Sequence, residues 1–192
     1  SNFYTNILPQ WNKNLNEKKS FENLIQKIKK QKNKNKYDCL IGVSGGVDSS
    51  YLVYMAKIKF NLNPLLFHVD AGWNTNNATI NIANLMDSLK LDLVTKVIDW
   101  ETIKDLQLSF FKAQVPSLDT VQDHAFFASL YNYAAKNNYK YILTGANFAT
   151  ESIREPLEWH YHASDLKQIK DIHKKFGKKS LEKFPQCDIF KY

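Results

Sequence analysis

Hydrophobic and polar positions along this chain follow two periods in turn. From residue 37 onward, short apolar runs of strand length are separated by longer stretches in which apolar residues recur every three or four positions. The runs are Tyr37 to Val43, Leu65 to Val69, Leu93 to Ile98 and Tyr139 to Leu143, and each suits a strand buried on both faces. Between them, Ser49 to Phe60 carries Leu52, Val53, Ala56 and Phe60 on one helical face, and Thr79 to Leu89 and Thr102 to Ala113 also read as helices. Pro116 stops the last of these. Asp119 or Thr120 can then cap a helix carrying Val121, Ala125, Phe126, Leu130 and Ala134. Ser164 to Phe176 predicts one more helix, with Gly177 as its C-cap, and no period is visible beyond it. Strands alternating with helices predict a doubly wound α/β fold, a parallel sheet with helices on both faces; with a strand order of 3-2-1-4 the first and fourth strands would be neighbours at the switch point.

Upstream, Lys18 to Lys36 is rich in Lys, Asn and Gln, yet Phe21, Leu24, Ile25 and Ile28 keep helical spacing. The stretch "KKQKNKNKYD" reads as a linker. The expected organisation is a helical appendage and linker over 1–36, a main domain over 37–178 and a tail over 179–192.

Composition changes this picture little. At 192 residues, 44% hydrophobic and 23% charged, the chain suits one globular domain. The net charge of +7 comes largely from the lysine stretch. Lysine without clustered Arg or interleaved aromatics reads as a solvated helix face, with an anionic or nucleic-acid partner as the other reading. No run of about 18 apolar residues occurs, and the polar, Lys-rich start is unlike a signal peptide, so a cytoplasmic protein without membrane spans is expected. The first residue is Ser1, so a piece of a longer or processed chain is expected. Cys39 and Cys187 form neither a CxxC pair nor a disulfide framework and read as reduced thiols, Cys187 alternatively as a reactive one.

Glycine carries the chemistry. Three of the six glycines, Gly42, Gly45 and Gly46, lie together between the first strand and the first helix. In a doubly wound sheet that turn lies at the carboxyl edge, where ligands bind. Glycine lets the backbone approach a ligand, the helix aims its free N–H groups and positive dipole end at the same place, and Ser44, Ser49 and Ser50 add hydroxyls. The result is an anion cradle suited to phosphate. It is neither GxxxxGK[ST] nor GxGxxG. Asp48 inside it would repel phosphate, and Mg²⁺ bridging the carboxylate and phosphate oxygens resolves the conflict.

The segment Ser44-Gly45-Gly46-Val47-Asp48-Ser49 resembles the PP-loop, the SGGxDS signature of ATP pyrophosphatases. The resemblance implies a Rossmann-like, adenine nucleotide alpha hydrolase-like fold and ATP cleavage between the α and β phosphates. It further implies ATP contacts from Ser44, Gly45, Gly46, Asp48, Ser49 and Ser50, adenine against the backbone of Phe67, His68 and Val69, and Gly145 and Asn147 near the α-phosphate. Within that superfamily, "VPSLDTVQDHAFFASLYNYA", "YKYILTGANFATES", "DWETIKDLQLSFFKAQVP" and "HASDLKQIKDIHKKFG" resemble the N-acetyl sugar amidotransferases of bacterial surface-polysaccharide biosynthesis, over roughly residues 37 to 178. Members of that family usually extend beyond both ends, with a Cys-rich segment upstream.

The implied reaction adenylylates the acetamido oxygen of an N-acetyl sugar and replaces it with ammonia to give an acetamidino sugar. Ammonia would come from a HisH-like glutaminase acting with a HisF-like protein. The implied roles are catalytic for Asp48, Asp123 and Glu151, metal-binding for Asp48 and Glu151, and sugar-binding for Gln122, Asp123, His124 and Arg154. Glu151 could instead hold ammonia, and Gln122 to His124 could simply cap a helix. Trp73 offers a ring for stacking or for the core, and His160 and His162 have an HxH spacing without further ligands nearby. Two other readings stay open: a PP-loop tRNA-modifying enzyme of the lysidine or thiolation type, and a nucleotide-binding module without activity.

Overall fold

The computed structural model describes residues 4–5, 17–30, 36–146 and 163–188. Helix α1 (Glu17–Lys30) precedes β1 (Cys39–Gly42). Helix α2 (Val47–Tyr54) runs on into a wider π turn, Met55–Lys59. Then follow β2 (Pro64–Asp70), α3 (Asn76–Leu89), β3 (Leu93–Val97), α4 (Trp100–Lys112), α5 (Thr120–Lys136), β4 (Ile142–Leu143) and α6 (Leu166–Phe176). The strands form one parallel sheet, as the alternating pattern predicts, in the expected order β3-β2-β1-β4.

The pleat explains why the strands read as continuous apolar runs. Cys39, Ile41, Val43 and Leu66 point to one face, where Val53, Ala56 and Ile82 of α2 and α3 cover them. Leu40, Leu65, Phe67 and Val69 point to the other, against Ile103, Leu106 and Phe110 of α4, Val121 and Ala125 of α5, and Ile169 of α6. Right-handed crossovers from β1 to β2 to β3 put α2 and α3 on the same face, and the long return from β3 to β4 fills the opposite one.

Helices α3, α4 and α6 begin at side-chain caps. Thr75 accepts from Ala78 N at 3.2 Å, Asp99 from Thr102 N at 3.1 Å and Asp165 from Gln168 N at 2.9 Å. Such caps are worth about 1 kcal/mol each, and they start α3 and α4 earlier than the apolar spacing alone suggests. Gly177 follows α6 as expected, but in an extended conformation with φ −78°, not the left-handed one.

Both ends of the described chain pack on the main domain. Ile25 and Ile28 of α1 are buried in the same core as β1, and Phe21 meets Phe60 edge to face with centroids 5.2 Å apart. Helix α1 therefore packs in the same layer as α2 and α3. The tail also docks: Phe184 and Cys187 are buried. The main-chain N–H groups of Lys178 and Lys179 donate to the Asp105 carboxylate at 2.8 and 3.0 Å, and His173 lies 3.2 Å from the same oxygen. Among the described residues, no helix is long and apolar enough to cross a membrane.

Candidate functional site

The site is assembled at the carboxyl edge, where the chain leaves β1 toward one side and β4 lies on the other. Gly45 has φ +78°, and a Cβ there would come within 2.7 Å of Ala78 Cα in α3, so only glycine fits. Asn81 of α3 donates to the Gly45 carbonyl at 3.0 Å and holds the turn from outside.

Inside the turn the hydroxyls form a small network. Ser49 Oγ lies 3.3 Å from Ser44 Oγ and donates to the Gly46 carbonyl at 3.2 Å, while Ser50 Oγ donates to that same carbonyl at 2.8 Å. Gly46 N donates to Ser44 Oγ at 3.4 Å. Gly46 is the N-cap of α2 and has no side chain to accept from the first-turn N–H groups, which lie beside the glycine turn. Together with the helix dipole they favour an anion by roughly 0.3–1 kcal/mol, and more in a partly buried geometry. Asp48 stands exposed in this first turn. A single carboxylate beside phosphate-binding amides fits Mg²⁺, which is commonly held by one or two carboxylates together with substrate phosphates. Among the described residues there is no cluster of three or more His, Cys, Asp or Glu that could hold a metal without such help.

Gly145, after β4, closes the other side. Its main chain packs so tightly on the start of α2 that an added Cβ would lie 3.0 Å from Asp48 C and O and from Ser49 Cα. The strand order brings Gly145 and the Ser44–Ser49 turn together as the sequence predicts. Asn147, Glu151 and Arg154 lie outside the described residues, as do His160 and His162.

On the far side β2 outruns β1. The Phe67 carbonyl accepts from Val43 N at 2.9 Å, so its main chain belongs to the ladder, and its side chain is buried against Tyr133 with centroids 5.0 Å apart. His68 is buried, with Nδ1 2.9 Å from the Val43 carbonyl and Nε2 2.9 Å from Asn74 Nδ2. Of the three β2 residues expected at adenine, these contacts commit the Phe67 main chain and the His68 ring to the protein itself, and Val69 lies beyond the last β1 pair.

Helix α5 leads at its C-terminal end into β4, so its first turn, with Gln122 and Asp123, lies at the carboxyl edge, and Asp123 is exposed there. His124 corrects the expectation of a sugar contact. It is completely buried, its Nδ1–H donates to the Ala163 carbonyl at 2.6 Å, and its Nε2 accepts from Cys187 N at 3.4 Å. Its ring stacks on Phe184 at 5.6 Å. Burial pulls its pKa below the ordinary value; the Ala163 bond opposes this and the Lys170 charge adds to it. His124 therefore ties the tail to α5 and offers no group to a substrate. Trp73 is 58% exposed, pairs edge to face with Trp100 and donates from Nε1 to Gln107 at 3.0 Å, so it is a surface ring. Cys39 is buried, and desolvation with the Asp38 charge pushes its thiol up to about 12.

The residues that sequence reasoning missed are the two amides that hold the loops, Asn74 and Asn81. The only signal for them is the polar run after "HVDAGW", which does not reveal which amide meets which carbonyl.

Comparison with known proteins gives a fold and no family. No protein-family model matches the chain. An uncharacterized protein of Methanocaldococcus jannaschii is 35% identical over 77 residues, which is 40% of this chain and 27% of that protein, so the match spans about a quarter of the relative's length. The NMN synthetase of Francisella tularensis superposes with a TM-score of 0.52 at 16% identity, covering 85% of this chain and 74% of that one. The glutamine-dependent NAD⁺ synthetase of Acinetobacter baumannii, solved with adenosine diphosphate, gives a TM-score of 0.50 at 13% identity over 60% of this chain and 22% of that one. The architecture is that of these synthetases: a four-stranded parallel sheet in the order 3-2-1-4 with helices around it.

Proposed function

We propose that the chain is an ATP pyrophosphatase of ligase type, which adenylylates the acetamido oxygen of an N-acetyl sugar and exchanges it for ammonia. The observation that supports this most is the close packing of Gly145 on Asp48 and Ser49, which sets the SGGVDS turn directly beside the turn after β4. The synthetases of like fold are described as an NMN synthetase and a glutamine-dependent NAD⁺ synthetase solved with ADP, which accords with nucleotide use and amide-forming chemistry.

An acetamide carbonyl is a poor electrophile because oxide is a poor leaving group. In the proposed first step the carbonyl oxygen attacks the α-phosphorus, the bond to the β-bridging oxygen breaks, and pyrophosphate leaves. Ammonia then adds to the imidate carbon and loses a proton, the C–O bond breaks, and AMP departs, leaving the acetamidine. The hydroxyls of Ser44 and Ser49 and the amides at the start of α2 hold the departing pyrophosphate. Gly145 lets the turn after β4 close on the start of α2, where a side chain would have no room. Asp48 would hold Mg²⁺, which when bound neutralises charge developing on the phosphate oxygens. Asp123, exposed at the head of α5, is the candidate to orient the sugar, and ammonia would come from a separate glutaminase.

The test is incubation of candidate N-acetyl sugars with ATP, Mg²⁺ and ammonium, followed by mass spectrometry and AMP and pyrophosphate assays. A product lighter by the difference between an oxygen atom and an NH group, formed with one AMP per turnover, supports the reading. Pyrophosphate release that requires tRNA and no sugar would replace it with the tRNA-modifying reading.

A further inference from the structure

The carbonyl of Val43, the last residue before the phosphate turn, has an unusual donor. Main-chain groups of even-numbered β2 residues face β3, since Leu66 N donates to Asp92 and the Asp70 carbonyl accepts from Ile98. Those of odd-numbered residues face β1, since the Phe67 carbonyl accepts from Val43 N. In an unbroken parallel ladder the next rung would run from Val69 N–H to the Val43 carbonyl. The pairing stops instead at Gly42 with Phe67, and the Val43 carbonyl accepts from His68 Nδ1 at 2.9 Å.

We propose that His68 is a positioning residue whose imidazole replaces the main-chain donor at the end of β1, leaving the Val69 N–H available to read the base of a bound adenine nucleotide. The proposal rests on the ATP reading above. Its geometry is self-consistent: a carbonyl can only accept, so Nδ1 carries the hydrogen and Nε2 is the acceptor. Asn74 Nδ2 lies 2.9 Å from that acceptor and fixes the tautomer. His68 is 8% exposed, so the ring has little contact with solvent. The side chain thus does two things at once. It ends the β1–β2 ladder one rung early, and it anchors the residue from which the phosphate turn departs. A base edge set against Val69 would then find the N–H and C=O of one residue, a donor and an acceptor side by side.

The test compares the wild type with His68→Phe and His68→Asn, reading hydrogen exchange at the Val69 amide by NMR together with the affinities for ATP and for tripolyphosphate. Without nucleotide, the Val69 amide of the wild type should exchange far faster than that of Phe67, and ATP should slow it at least about tenfold. In His68→Phe the missing rung closes, so Val69 is protected without nucleotide. ATP binds about tenfold more weakly, while tripolyphosphate, which lacks a base, binds as before. His68→Asn keeps an amide donor near the Nδ1 position and should behave as the wild type. Protection of Val69 in the nucleotide-free wild type overturns the proposal, as does an unchanged ratio of ATP to tripolyphosphate affinity in His68→Phe. If neither ligand binds the wild type, the nucleotide reading itself fails, while the exchange contrast still decides whether His68 displaces the rung. If His68→Phe does not fold, the wild-type exchange pattern and His68→Asn carry the decision.

Discussion

Replacing Gly145 with Ala tests the joint on which the site depends. The added methyl meets Asp48 C and O and Ser49 Cα at 3.0 Å, and all of these are main-chain atoms that cannot rotate aside. Gly145 is not among the residues with positive φ, so the effect is purely one of space. The end of β4 and the start of α2 must separate by a few tenths of an ångström. Overpacking of this kind costs about 1–3 kcal/mol. At roughly 2–4 °C per kcal/mol for a chain of this size, Tm should fall by roughly 2–12 °C. The functional loss should exceed the stability loss in its consequences, because the displaced atoms line the proposed phosphate site. A misplacement of about 1 Å costs on the order of 100-fold, so a few tenths should lower kcat/KM for ATP by about three- to tenfold. Gly42→Ala is the control, since its methyl would meet only Leu130 Cδ2 at an ordinary 3.5 Å. Calorimetry and a pyrophosphate-release assay on both variants decide the matter. A Gly145→Ala protein with the Tm and ATP kinetics of the control would refute the reasoning.

Other outcomes follow from the same geometry. Because His124 has a lowered folded-state pKa, its contribution to stability is fully present above its ordinary 6.5 and is lost as pH falls below that toward the folded value. Thermal unfolding across that window should show a loss that His124→Gln, which can still bond both Ala163 and Cys187, does not share. Asp48→Asn should lower Mg²⁺-dependent pyrophosphate release by at least about 100-fold with little change in Tm, and chelation by EDTA should abolish the wild-type rate. A variant with wild-type turnover would remove Asp48 from the metal assignment. Cys39, buried with a thiol pKa of about 12, should resist alkylation in the folded protein and react only on unfolding; rapid labelling at neutral pH would contradict its placement.

What was legible in the sequence depended on the range of the interaction. The parallel sheet and the location of the glycine turn are legible because strand burial and the Gly45-Gly46 pair leave local signatures, while the strand order, from which the meeting of Gly145 with that turn follows, comes with the resemblance of the SGGVDS segment. Helix starts at Thr75 and Asp99 were read late because a cap is one side chain and not a period. The docking of the tail could not be read. It depends on Asp105 accepting from main-chain N–H groups 73 and 74 residues away, and main-chain donors carry no sequence identity. His124 misled for a related reason. A polar residue at the head of a helix beside the carboxyl edge resembles a ligand contact, and its burial becomes apparent only once Phe184 and Cys187 fold over it.

The shortness of β4 has a consequence for how the molecule meets its ligand. Only Leu40 with Ile142 and Ile41 with Leu143 join that strand to the sheet. Half of the proposed phosphate site therefore hangs from the strand with the fewest rungs among the described residues, the part of a parallel sheet that opens most cheaply. A polyphosphate lying across the seam from Ser44 to Gly145 would serve as the rung the backbone omits. Nucleotide binding and the closing of that edge would then be one event, with the ligand acting as mortar in a wall left open by one course.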